Sequence, residues 1–153
     1  MKNNIRKNRI YYPDLYYNSI EISKFINVIM FSGKKIVARN IVYNAFNYIF
    51  KKLKKNPLYV FSVSIDNISP MMEVKKKKKF GGIQTIFSEI RNFKRISLAM
   101  RMLKNSSRTR KEKYMYLRLG NEIIEGFERR SKISKKRGDL NKFSNSNKSY
   151  FNN

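Results

Sequence analysis

The sequence predicts a mainly α, single-domain fold: a bundle of about six helices with one extended β-hairpin. Three observations point to it. Apolar residues recur at helical spacing in five separate segments. Two adjacent glycines, Gly81 and Gly82, divide a pair of β-tolerant runs. A chain of 153 residues, 41% of them hydrophobic, can fill one core but not two of ordinary size.

Residues 1–18 read as an extended basic arm, with Arg6, Lys7 and Arg9 as phosphate contacts. The helical core follows over 19–128. Its first helix lies between Ser19 and Phe31, on the spacing of Ile22, Phe25, Ile26, Ile29 and Met30, and Gly33 reads as its C-terminal cap. A second helix runs from about Lys35 to Leu53, where Ala38, Val42, Ala45, Phe46, Ile49 and Leu53 form one stripe. Asn56-Pro57 starts a third, with Asn as N-cap and Pro in the first turn. Leu58, Phe61, Ile65 and Ile68 continue it, and Pro70 stops it.

The hairpin is expected at about 71–90. Met71–Val74 and five consecutive lysines lead into Phe80-Gly81-Gly82, and Ile83–Ile90 return. Asn92 caps a fourth helix with Ile96, Ala99, Met100 and Leu103 inward, and Asn105-Ser106-Ser107 breaks it. A fifth, about Lys111 to Phe127, buries Met115, Leu119, Ile123 and Phe127. Residues 129–153 form a basic C-terminal extension. In it a loop from Arg129 to Arg137 precedes a weaker final helix carrying Leu140, Phe143 and Tyr150. The methionine and aromatic stripes are read as core, not as cofactor boxes.

The formal net charge is +25. Such an excess repels itself unless a polyanion neutralises it, and nucleic acid is the natural one. With neither cysteine nor histidine, zinc sites built on those residues and Ser–His or Cys–His nucleophiles are excluded. Carboxylates number only ten, and Glu122, Glu125 and Glu128 read as exposed acids pairing with arginines on one helix. The chain is therefore expected not to be an enzyme, to need no metal or cofactor, and to form no homo-oligomer. No run reaches the roughly 18 apolar residues of a membrane span.

Five basic clusters stand out: the arm, Lys34/Lys35, the run Lys75, Lys76, Lys77, Lys78 and Lys79, the group Arg91/Lys94/Arg95/Arg101, and Arg129–Arg137. Arg108, Arg110 and Lys111, and within the last cluster Lys135, Lys136 and Arg137, complete the set of candidate RNA contacts. Lysines outnumber arginines 23 to 12, which favours recognition of shape and backbone over base edges. A hairpin projecting into a phosphate-lined cleft gives the lysine run anions to meet. The rival reading is a nucleoid or architectural DNA-binding protein, but no pair of helices shows a helix-turn-helix turn.

The stretch "SIEISKFINVIMFSGKKIVARNIVYNA", Ser19 to Ala45, closely resembles the signature region of the ribosomal protein seven family of the small subunit, in its bacterial form. Pro13-Asp14, Tyr17-Asn18-Ser19, "NPLYVFSVSIDNISPMMEVK", Phe80-Gly81-Gly82 and "RISLAMRML" follow in the family's order. So do Lys135-Lys136-Arg137, Asp139, Asn147-Lys148 and Tyr150. The resemblance covers roughly 13–151.

It implies a structural ribosomal role: binding the 3′ major domain of small-subunit rRNA, nucleating head assembly, and lining the exit-site tRNA cleft. Phe80, Gly81, Gly82, Lys148 and Tyr150 would lie near that tRNA, with mRNA nearby. Ribosomal protein number eleven would be a neighbour, and Lys34 and Lys35 correspond to the family's basic pair. Three departures are visible. The first hairpin strand has one extra residue and the second one fewer; Ser88 stands where valine is expected; Asn141 stands where many relatives have histidine. Similarity from Pro13 onward implies no added presequence. The wording is closer to the α-proteobacterial and mitochondrial branch, and the use of Asn, Lys, Ile, Phe and Tyr suits AT-rich codons. Both imply an organelle-encoded protein of the mitochondrial ribosome in the matrix, with plastid or apicoplast as the alternative.

Overall fold

The computed structural model describes residues 12–79, 82–135, 137–139 and 142. It is mainly helical, with the expected hairpin. The elements are α1 (Ile20–Ile29), α2 (Lys35–Leu53), α3 (Pro57–Ile68), β1 (Met72–Lys79), β2 (Gly82–Glu89), α4 (Asn92–Arg108) and α5 (Met115–Phe127). The chain divides into two compact units, Met1–Asn40 and Ile41–Asn153, with the boundary inside α2.

In the first unit a closed turn precedes α1. The buried Asp14 carboxylate accepts from the backbone N–H of Tyr16 and Tyr17, each at 3.3 Å, and Asn18 N–H donates to the Asp14 carbonyl at 2.8 Å. Helix α1 then buries Ile22, Phe25, Ile26 and Ile29 of the predicted stripe, while Met30 is only half-buried and takes the C-cap position expected of Gly33. Ser32 (φ 49) and Gly33 (φ 75) turn the chain through the left-handed region, the place where glycine is least strained, and α2 starts at Lys35.

In the second unit Val42, Ala45, Phe46 and Ile49 of α2 are buried, and the Phe46 and Phe61 rings lie 5.7 Å apart. The Asn56 side chain accepts from Leu58 N–H at 2.9 Å, so the predicted cap of α3 is formed. Helix α5 packs on both α3 and α4. Its glycines set how close it comes. A Cβ on Gly126 would lie 2.4 Å from Ser64 Oγ, and one on Gly120 would lie 2.7 Å from the Tyr48 ring.

The strands pair antiparallel and one to one, from Met72 opposite Glu89 to Lys79 opposite Gly82. Eight residues face eight without a bulge. The suspected length changes therefore leave a regular ladder, and Ser88 takes an ordinary place in it opposite Glu73. Phe80 and Gly81 lie outside the described residues.

Three local expectations are corrected. Helix α4 does not break at Asn105-Ser106-Ser107 but continues to Arg108. Ser107 is buried and its hydroxyl donates to the Lys104 carbonyl at 2.8 Å, so it is satisfied inside the helix. Asn92 is the first helical residue, while Arg91 holds the N-cap position without a side-chain bond. Helix α5 begins at Met115, four residues later than expected, because the Arg118 guanidinium donates to the Glu112 carbonyl and holds that segment outside the helix.

The span Arg129–Arg137 is not simply a loop. Helical backbone resumes over 132–135 and 137–139, started by Ser131, whose hydroxyl accepts from Ile133 N–H at 3.1 Å. Ser131 and Ile133 are both buried. Leu140, Phe143 and Tyr150 of the expected final helix lie outside the described residues.

Candidate nucleic-acid interface

In the first unit Lys34 and Lys35 are exposed on the turn between α1 and α2. Lys34 N–H donates to the Phe31 carbonyl at 3.1 Å and Lys35 N–H to the Gly33 carbonyl at 2.8 Å, so a short, defined loop presents both ammonium groups. Phe31 beside them is 73% exposed. Arg6, Lys7 and Arg9 lie outside the described residues.

In the second unit the lysine run forms most of β1. Opposite Lys75 to Lys79 in the ladder stand Ile86, Thr85, Gln84, Ile83 and Gly82, none of them acidic. The hairpin therefore supplies no cross-strand counter-charge. Lys75 and Lys78 are exposed. Glu73 gives a local one: its carboxylate lies 2.6 Å from Lys94 Nζ and 2.9 Å from Lys75 Nζ. Those two hydrogen bonds, Lys94 first, hold Glu73 below the ordinary carboxylate range. They also tie the base of β1 to the first turn of α4.

Helix α4 carries a cationic stripe. Lys94, Arg101 and Arg108 are seven residues apart, so they share one face, and all three are exposed, as is Arg91. Arg95 is half-buried, and its Nε has no hydrogen-bond partner. Lys111 and Lys135 are exposed. Lys136, Lys148 and Tyr150 lie outside the described residues.

Besides Lys75 and Lys94, which pair with Glu73, two more of the candidate contacts are engaged within the fold. Arg110 binds Glu112 at 3.0 Å, Glu122 at 2.7 Å and Glu125 at 2.6 Å. These acids, Glu125 foremost, raise its pKa further above the ordinary arginine value. Glu122 is thus not the exposed acid expected: it is buried, and its other oxygen accepts from Ser131 Oγ at 2.7 Å. Arg137 donates from one terminal nitrogen to the Asp66 and Asn67 carbonyls at 2.8 and 2.7 Å.

Sequence reasoning placed the aromatics in the core and so passed over Phe31 and Phe93, 73% and 66% exposed beside Lys34 and Lys94. Such rings can stack on unpaired bases. Only their closeness to lysines, Phe93 directly before Lys94 and Phe31 three residues before Lys34, signals this in the sequence. Among the described residues no group of acids is placed to hold a metal, and no helix is long and apolar enough to cross a membrane.

Comparison with known proteins matches the sequence to one family. The family model "Ribosomal protein S7p/S5e" matches residues 1–148. Proteins named "Small ribosomal subunit protein uS7" from Nitrosomonas europaea, Leptothrix cholodnii and Cupriavidus necator are each 42% identical over 138 residues, 90% of this chain and 88% of theirs. All three organisms are bacteria, so these relatives give no support to the mitochondrial expectation. A match over nearly the whole chain, on a helical fold with the lysine hairpin and basic stripe in place, means that the chain belongs to the ribosomal protein S7p/S5e family.

Proposed function

We propose that this protein is a structural component of the small ribosomal subunit that binds the 3′ major domain of its rRNA and helps to organise the subunit head. The observation that carries the rRNA contact is the fate of the charges. Glu73, Glu112, Glu122, Glu125 and Glu128, five of the ten carboxylates, pair with cations of the chain itself. Lys34, Lys35, Lys78, Arg91, Arg101, Arg108, Lys111 and Lys135 remain exposed on well-formed elements. A fold whose own cations pair with half of its few acids, and that still leaves many cations exposed, is suited to a polyanion.

The finer reading follows the family. The hairpin, with Lys75–Lys79, lies towards the exit-site tRNA, with mRNA nearby and ribosomal protein number eleven as a neighbour. The protein works by shape and charge without catalysis. The organellar ribosome is a further part of this reading, supported by residue usage alone.

The test is a binding titration at several salt concentrations against a head-domain rRNA fragment, a scrambled RNA of equal length and duplex DNA. Preference for the rRNA fragment that persists as salt rises is expected. Equal affinity for all three, collapsing together with salt, would replace this reading with that of an architectural DNA-binding protein.

A further inference from the structure

A further basic cluster lies outside the candidate RNA contacts. Lys51 and Lys52 occupy the last turn of α2, Lys54 and Lys55 follow its end at Leu53, and all four are exposed. Cations at a helix C-terminus complement its dipole, which accounts for Lys51 and Lys52. It does not account for Lys54. Lys54 N–H donates to the Phe50 carbonyl at 2.9 Å, and the residue is held at φ 55, in the left-handed capping position where glycine is unstrained. Among the described residues none of the four lysines pairs with a carboxylate. Glu125 and Glu128 line a groove together with Lys52, but they are taken by Arg110 and Arg130.

Aromatic side chains frame the cluster. Lys55 Nζ lies 5.1 Å from the centre of the Phe127 ring, and the Tyr59 ring meets Phe127 edge-on at 6.2 Å. Lys52 Nζ lies 5.6 Å from the centre of the Tyr48 ring and 3.2 Å from Asn121 Oδ1. Tyr59, in the first turn of α3, is 58% exposed. A large ring open to solvent thus stands beside cations that have no counter-charge. Single-stranded RNA grips aromatic surfaces by stacking its bases, and here lysines already stand over the Phe127 and Tyr48 rings. A protein segment needs no such stacking. Its carboxylates meet the ammonium groups where they are, and an apolar side chain covers Tyr59.

We propose that the α2–α3 link, centred on Lys54, Lys55 and Tyr59, is a docking surface for an acidic segment of a partner protein, one that carries carboxylates beside an aromatic side chain. This goes beyond the rRNA-binding reading and does not depend on it. The lysine at the strained position is then a charge kept for a partner, since glycine would cap α2 at lower cost.

The test holds the full chain on the head-domain rRNA fragment, so that its other cations are engaged, and titrates it with a short fluorescent peptide of repeated Glu-Glu-Phe. The peptide should bind more tightly than oligoglutamate of equal charge. Lys54→Gly relieves the left-handed strain, so its thermal midpoint should equal or exceed the parent's while its peptide affinity falls about twofold to fivefold. Adding Lys55→Gln should bring the loss to about tenfold. Lys113→Gln, which removes one exposed charge elsewhere, should leave the affinity unchanged. Equal binding of the two peptides, parental affinity in the double variant, or an equal loss in Lys113→Gln would overturn the docking surface and leave the lysines as a solvated helix end. Release of the peptide from the parent when rRNA binds would overturn it too, by assigning the cluster to RNA. If the parent shows no preference for the rRNA fragment, the rRNA reading fails separately, and the same variants on the free chain decide the docking surface.

Discussion

The guanidinium of Arg110, on the link between α4 and α5, stands 2.7 Å from the buried carboxylate of Glu122. Its other nitrogens reach Glu125 and Glu112, and the second oxygen of Glu122 takes the Ser131 hydroxyl. One cation therefore joins the α4–α5 link, α5 and the start of the C-terminal helical stretch. The Glu122 side chain is only 3% exposed, so removing its partner leaves an uncompensated charge in the interior. Arg110→Ala should destabilise the fold by about 3 kcal/mol, read from urea unfolding. Its salt slope for rRNA should match the parent's. A shallower slope with parental stability would instead place Arg110 on the RNA.

Acid should weaken the same network. Glu125 lies below the ordinary carboxylate range because it accepts from Arg110. Glu112 does too, through its own backbone N–H and then Arg110. A carboxylate whose pKa is lower folded than unfolded stabilises the fold in full above the unfolded value of about 4.3. That stabilisation is lost as pH falls through the folded values. Urea midpoints should be level between about pH 7 and 5 and drop below about pH 4. Self-repulsion of the +25 chain also grows in acid, so the comparison must be with Arg110→Met, whose acid limb should be shallower. Identical acid limbs in the two proteins would remove Arg110 from the explanation.

Much of this fold is legible in the sequence because its helices are amphipathic. The stripes Ile22/Phe25/Ile26/Ile29 and Ala38/Val42/Ala45/Phe46/Ile49 are buried as their spacing predicts. The hairpin is legible because glycines punctuate it. What escapes is decided by tertiary contact. Ser106 and Ser107 resemble a break, yet Ser107 bonds back within the helix and α4 continues. The helical stretch after Ser131 is hidden by its charge, since Ile133 is the one apolar residue from Ser131 to Lys135 and a single residue has no period. The interface is legible as charge density but not as availability. Arg101 and Arg110 look alike in sequence, and only the approach of Glu122 and Glu125 separates an exposed cation from an internal one.

Close approach of α5 to α3 gives a packing prediction. A Cβ on Gly126 meets Ser64 Oγ at 2.4 Å and Ile68 Cδ1 at 2.9 Å. Ser64 is fully buried on α3, so the serine has little room to yield. Alanine gains about 1 kcal/mol of helix propensity over glycine, while overpacking costs about 1–3 kcal/mol. Gly126→Ala should therefore be destabilising by up to about 2 kcal/mol. Adding Ser64→Ala removes the closer clash, because Ser64 Cβ would be 3.5 Å away, and should restore part of the loss. Additive effects of the two changes in urea unfolding would show that the serine is not what Gly126 accommodates.

The lysine hairpin gives the most direct separation of function from fold. Lys76, Lys77 and Lys78 pair in the ladder with Thr85, Gln84 and Ile83, so no carboxylate opposite them is lost when their charges go. If the run serves the fold, neutralising it removes something the helices need. If it serves RNA, neutralising it relieves repulsion and leaves the core untouched. Replacing all three by Ala should leave the helical circular dichroism and the thermal midpoint near the parental values. The log–log salt slope for the rRNA fragment should become shallower by about 2, from roughly 0.7 per single-stranded phosphate contact. The same substitutions to Gln keep chain length and guard against the poor strand propensity of alanine. Loss of the helical signal in both variants would assign the run to structure. A steep, unchanged slope with intact helices would show that the RNA is held elsewhere, by the α4 stripe and the Lys34–Lys35 turn.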